Sequence, residues 1–116
     1  TIHTTDRDIA ADDLFTGLFE TALAPGEMIL RVSFPVPRRA AYMKFRNPAS
    51  RYAVVGVFVA ETNDGVRVGV TGAGACAFRQ ADMEAALSVS FTPDAIGGIT
   101  IPADDFNTDL HATAAY

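Results

Sequence analysis

The sequence predicts an α+β fold: a three- or four-stranded antiparallel sheet packed beside a small three-helix layer. Three observations carry this prediction. Apolar residues alternate with period two in several stretches between residues 27 and 71, an Asp-Gly turn joins two of those stretches, and short apolar patterns at helical spacing flank them on both sides. At 116 residues with 49% apolar content, the chain reads as a single domain, 1–116, able to bury a core without disulfides or metal.

Asp12 and Asp13 precede Leu14, Phe15, Leu18 and Phe19 at helical spacing. Aspartate meets the free N–H groups and the positive end of a first turn, so a helix is expected over about residues 13–19, ended by Ala24-Pro25-Gly26. Residues 27–36 then alternate, with Met28, Leu30, Val32 and Phe34 on one side and Ile29, Arg31 and Ser33 on the other, the pattern of a half-buried strand. Pro35 and Pro37 close it. Residues 40–46 form the next strand and 47–50 a loop. The apolar run 52–60 reads as the most buried strand of the sheet. Thr62-Asn63-Asp64-Gly65 predicts a type I′ hairpin, and Val66, Val68 and Val70 return inward from it. Met83, Ala86 and Leu87 place a helix over about residues 80–89, and Pro93 opens a short helical turn. Asp104-Asp105 repeats the earlier acidic opening, so a last helix is expected over 105–116. Both aspartate pairs read as helix caps.

Charge is unevenly placed. The net charge of −5 disfavours nucleic acid as a partner. Yet residues 28–60 contain no Asp or Glu and hold Arg31, Arg38, Arg39, Lys44, Arg46 and Arg51, six of the nine basic residues. This segment is expected to face an anionic neighbour, or else to balance acidic elements of the same domain. No apolar run reaches the roughly 20 residues that span a bilayer, so no membrane span is expected. The N-terminus lacks a signal pattern, and the single cysteine leans towards a reducing cytoplasm. The missing initial methionine and the uncapped end at Tyr116 point to a piece of a longer chain.

No complete active site emerges. His3, His111 and Cys76 are too few and too dispersed for a metal site. His111 reads as a surface or packed histidine, and Cys76 as a buried structural thiol. Gly72-Ala73-Gly74-Ala75-Cys76 has Ala77 where a dinucleotide-binding loop needs its third glycine, so its small residues read as a close strand–helix passage. The loop from Lys44 to Tyr52 is the richest segment. Its three cations, Asn47 and its aromatics suit a phosphate or a polar heteroaromatic ring, or form a polar connection around Pro48.

The run Tyr42-Met-Lys-Phe-Arg-Asn-Pro-Ala-Ser-Arg-Tyr-Ala-Val-Val-Gly-Val57 resembles the C-terminal domain of the FAD-binding medium subunit of molybdenum hydroxylases. The closest likeness is to the carbon monoxide dehydrogenase medium chain within the xanthine dehydrogenase family. Three further segments agree: Leu23-Ala-Pro-Gly-Glu-Met-Ile-Leu30 with Phe34-Pro35, Val70-Thr-Gly-Ala-Gly-Ala-Cys76 with Phe78-Arg79, and Ala103-Asp-Asp-Phe-Asn-Thr-Asp-Leu-His-Ala112. The resemblance implies the same sheet-and-helix fold and a domain that closes over FAD. An N-terminal FAD-binding domain of the same subunit would hold the pyrophosphate. An iron–sulfur small subunit with two [2Fe–2S] clusters and a molybdopterin large subunit would be the partners. It implies cofactor contacts for two residues: Ile29, an aliphatic side chain packed against FAD, and Arg46, a cation beside the flavin. Tyr52-Ala53 follow Arg51 where xanthine dehydrogenases carry acids, which favours the carbon monoxide dehydrogenase-like branch. Two other readings stand beside this one. One is a free-standing protein-interaction module with no flavin role. The other, a small hydrolase, lacks any base–nucleophile pair.

Overall fold

A computed structural model describes all 116 residues, Thr1–Tyr116. The chain is mixed in class, with antiparallel sheets and one α-helix. The large sheet is a meander of β6 (Arg39–Arg46), β7 (Ala53–Thr62), β8 (Gly65–Thr71) and β9 (Phe78–Arg79), paired in that order. Its register follows the predicted alternation: Val57 lies opposite Val70 and Val59 opposite Val68. Residues opposite one another share a face. One face therefore carries Val57, Val59, Val66, Val68 and Val70, and α1 (Ala81–Val89) packs there through Met83 and Leu87. Phe91 and Ile96, beside the 3-10 turn Pro93–Ala95, complete this core.

The most buried strand is β8, not the run 52–60. The cause is the position of α1, which packs directly on β8 and leaves Val57 and Val59 of β7 at the margin of the same core. The 63–64 hairpin forms, but its positive φ falls on Gly65 alone, whereas a type I′ turn needs it at both central residues. Glycine takes the left-handed position and spares Asn63 and Asp64.

Two predicted helices are absent, so the three-helix layer reduces to α1. Residues 13–19 instead hold the end of a 3-10 turn (Ala11–Asp13) and strand β3 (Phe15–Gly17), which pairs with β4 (Glu20–Thr21). Seven residues containing Thr16 and Gly17 make a poor helix, and their apolar stripe has no partner: Phe19 turns back at φ 60° and is 98% exposed. Residues 105–116 form turns. Asp109 Oδ1 accepts from the backbone N–H groups of His111 (2.8 Å) and Ala112 (3.1 Å), and Thr108 Oγ1 accepts from Ala114 N–H. Such local bonds compete with helix formation. Neither aspartate pair caps a helix. Asp12 instead pairs with Arg79 at 2.7 Å.

A second, smaller sheet has the order β2 (Asp8–Ile9), β1 (Ile2–Thr4), β5 (Ile29–Val32). Of the predicted strand 27–36 only β5 is regular, because β1 offers only three residues to pair with. All four β5 residues are exposed, so this strand is not half-buried. Ile2 on the central strand and its partner Ile9 on β2 are buried. Glu27, beneath it, is anchored by Thr4, Arg7 and the Ala24 N–H. No helix of the chain is long and apolar enough to cross a membrane.

Candidate functional site

The loop that follows β6 is locked by its own polar atoms. Asn47 Oδ1 accepts from the N–H groups of Ala49 (2.9 Å) and Ser50 (3.1 Å), an Asx turn that Pro48 pre-sets. Asn47 N–H donates to the Tyr52 carbonyl at 2.8 Å and Arg51 N–H to the Asn47 carbonyl at 3.0 Å. Closing this circuit holds Arg51 in the left-handed region at φ 65°. Lys44 Nζ then donates to the Arg51 carbonyl at 3.0 Å. Of the cations at this end, Lys44 is bonded in this way, while the Arg46 and Arg51 side chains make no ion pair or hydrogen bond within the chain. The Asn47 amide reaches His111 Nδ1 at 3.2 Å. Because the amide nitrogen donates, Nδ1 acts as the acceptor in this contact. His111 is thus a surface histidine held by the loop.

A cavity of about 470 Å³ lies between this loop and the C-terminal segment, lined by Asn47, Tyr52, Val54, Phe106, His111 and Tyr116 among others. Its size suits a small molecule. Its polar lining is only partly engaged: Asn47 bonds His111, and Asp109 bonds the N–H groups of His111 and Ala112, while the Tyr52 and Tyr116 hydroxyls make no hydrogen bond within the chain. Its walls are mainly apolar, with Tyr116 edge-on to Phe45 at 5.4 Å.

Ile29 and Arg46 are not brought together by any shared sheet. Ile29 lies on β5 opposite Thr4, and Arg46 ends β6 opposite Ala53. Both are exposed, Ile29 by 45%. The six cations of the acid-free segment do not form one patch either. Arg38 and Arg39 sit at the hairpin end, bonded to Asn63 (3.1 Å) and Glu61 (2.6 Å). Arg46 lies seven residues along the same strand, about 23 Å away at the usual strand rise. Arg31 is on the other sheet, opposite His3. The expectation of a single anionic neighbour for all six is therefore corrected. A strand spaces its side chains along a line, and only Lys44, Arg46 and Arg51 share one end.

Gly72-Ala73-Gly74 proves to be a meeting point of backbones rather than a phosphate loop or a strand–helix passage. Gly72 has φ 83°, and a Cβ there would lie 2.4 Å from the Val54 carbonyl oxygen of β7. Asn107 donates from its side chain to the carbonyls of Gly72 (3.3 Å) and Gly74 (2.8 Å), and its N–H donates to Ala73 at 2.7 Å. Cys76 is half-buried, not buried. His3 is bonded to Asp8 (2.7 Å) and Ser33 (2.8 Å), far in sequence from Cys76 and His111, and no three His, Cys, Asp or Glu side chains converge.

Two carboxylates missed in the sequence are the best-held groups in the molecule. Glu27 has its pKa lowered to about 2, first by the Ala24 N–H and then by the Thr4 and Arg7 side chains. The signal for it was the Pro25-Gly26 turn, with Gly26 at φ 85°, which returns Glu27 onto the strand. Glu84 lies buried on α1 and accepts from Arg79 and from Val68 N–H (2.9 Å), which lower its pKa. Both serve architecture, not chemistry. Comparison with protein-family models, with curated proteins and with solved structures finds no match to this chain.

Proposed function

We propose that the chain is the C-terminal domain of the FAD-binding medium subunit of a molybdopterin-dependent dehydrogenase or hydroxylase of the carbon monoxide dehydrogenase type. It is not catalytic alone. In the cytoplasm it would close over FAD held by the N-terminal domain of the same subunit, and it would dock the iron–sulfur small subunit and the molybdopterin large subunit.

One observation carries this reading beyond the resemblance: the strands bearing Ile29 and Arg46 are exposed along their whole length, and Arg46 has no internal partner. An exposed aliphatic side chain and a free guanidinium each suit contact with a flavin. The cation would favour the negative charge that builds on a reduced ring. Bound FAD would supply the redox chemistry; this chain would contribute only packing and charge. The free edge of β6 supports the second reading, a protein-interaction module with no flavin role.

The test is spectroscopic. The isolated chain should purify colourless and should not retain FAD after gel filtration. A longer chain that includes the coding sequence immediately upstream should be yellow, and Arg46→Ala in it should shift the flavin reduction potential to more negative values. Stoichiometric FAD on the 116-residue chain, or an unchanged potential in the variant, would overturn the proposal.

A further inference from the structure

β6 is the longest free edge in the molecule. It pairs with β7 on one side only, and all eight of its residues are exposed. Proteins blunt such edges with charged side chains, lysine above all, or with prolines, bulges or covering loops, because unpaired N–H and C=O groups recruit other strands; on β6 the guards are cations, which turn away basic strands and admit acidic ones. Between Arg39 and Arg46 there is no proline, and the one irregularity in the ladder lies at the far end, between Phe45 and Arg46.

The two faces of this edge differ in chemistry. Arg39, Ala41, Met43 and Phe45 share the face of the valine core, as their partners Glu61, Val59, Val57 and Val55 show. Arg39 is already engaged there, bonded to Glu61 and stacked 4.1 Å over Phe91. What remains is apolar: Met43 is 76% exposed, and Phe45 is 53% exposed with its ring already against Tyr116. The opposite face carries Ala40, Tyr42, Lys44 and Arg46, then Gly56, Phe58 and Ala60, then Arg67, Gly69 and Thr71. These three strands place no carboxylate on it.

We propose that the free edge of β6 takes up an extended segment of a partner chain whose side chains alternate between carboxylates and apolar groups, adding a fifth strand to the large sheet. Directly opposed residues share a face, so the carboxylates would meet Lys44 and Arg46 and the apolar groups would cover Met43 and Phe45. Main-chain pairing would supply affinity and the alternation would supply register. A second copy fits less well. Pairing two β6 strands around Met43 sets the two Lys44 side chains diagonal to one another, about 7–8 Å apart, on a face with no carboxylate to offset them. The inference does not depend on the flavin reading.

The experiment uses the chain with capped eight-residue peptides alternating Glu and Val, or Lys and Val. The Glu peptide should bind and slow amide exchange along β6, and the Lys peptide should not bind. Lys44→Glu with Arg46→Glu should weaken binding roughly tenfold or more, while Arg31→Glu on β5 should leave it within about twofold. Peptides N-methylated at every Glu or at every Val separate strand pairing from mere attraction: one set should abolish binding and the other should preserve it. Binding of both charge types, equal effects of the two methylated sets, or a dimer in sedimentation that protects β6 without peptide would each overturn the proposal. None of these results bears on whether a longer chain holds FAD.

Discussion

At Glu27 a single carboxylate ties the turn after residue 24, the β1 strand and Arg7 into one knot. Its pKa falls from 4.5 to about 2 on folding, so it binds its proton less readily when folded. The stability it contributes is therefore present above about pH 4.5 and is lost as the pH falls towards 2. Glu27→Gln should lower stability most above pH 5, and the gap to the parent should close as the pH approaches 2. Denaturant titrations across that range read the difference directly, and the other lowered carboxylates cancel because both proteins carry them. Glu84 answers to a different argument. Its loss would leave the Val68 N–H, buried in the sheet, without an acceptor, and would free Arg79. Glu84→Ala should cost about 2–3 kcal/mol at pH 7, and Glu84→Gln clearly less, because the amide oxygen still accepts from Val68. Glu84 was not legible as an anchor in the sequence, and Glu27 had only the Pro25-Gly26 turn before it as a signal. An isolated glutamate beside a strand or on a helix looks the same whether it faces solvent or a backbone donor. Ile29 and Arg46 were singled out only by a resemblance, and the sequence gives no sign that they stand on different sheets.

Among elements, the long strands β6–β8 and helix α1 were legible, whereas the short strands β1–β4 and β9 were not and two expected helices did not form. The valines of β7 and β8 alternate over seven to ten residues, and their register leaves one arrangement that buries them. Helical spacing over seven residues, as in 13–19, is satisfied by three or four apolar side chains and decides little. α1 was legible because Met83 and Leu87 meet a prepared valine face, and Gln80 caps it by accepting from Asp82 N–H. The segment 72–74 shows a similar ambiguity: two glycines fit a phosphate loop, a helix passage or a backbone crossing. The crossing makes a sharp prediction. Gly72→Ala places a Cβ against the Val54 carbonyl and forces a positive φ on alanine, and should cost at least about 2 kcal/mol. Gly74→Ala meets only ordinary contacts at 3.6 Å and should change stability by about 0.5 kcal/mol or less. Thermal melts of the two variants, side by side, separate a crossing from a merely flexible loop, for which both would be mild.

For the whole molecule, the contrast is between ample apolar content and scant burial. Only twelve of 116 residues are buried. The radius of gyration is 15.7 Å, where a compact chain of this length gives about 13 Å. Burial is also divided. Ile2, Ile9 and Glu27 belong to the small sheet, and Val66, Val68 and Leu87 to the large one. The Asp12–Arg79 pair links the N-terminal segment to the large sheet, but both side chains are substantially exposed, and such a bridge contributes little. The two regions should therefore open separately. Amides of β7 and β8 should exchange slowest, and those of β1 and β5 markedly faster, in native-state hydrogen exchange. Glu27→Gln should accelerate exchange only in the small sheet, and Glu84→Ala should do so chiefly in the large one. A single protection level shared by both sheets, moved equally by either substitution, would mean one cooperative core. In that case the exposed strands would be ordinary surface of a self-sufficient domain. Two levels are what a domain whose remaining contacts lie in other chains would show.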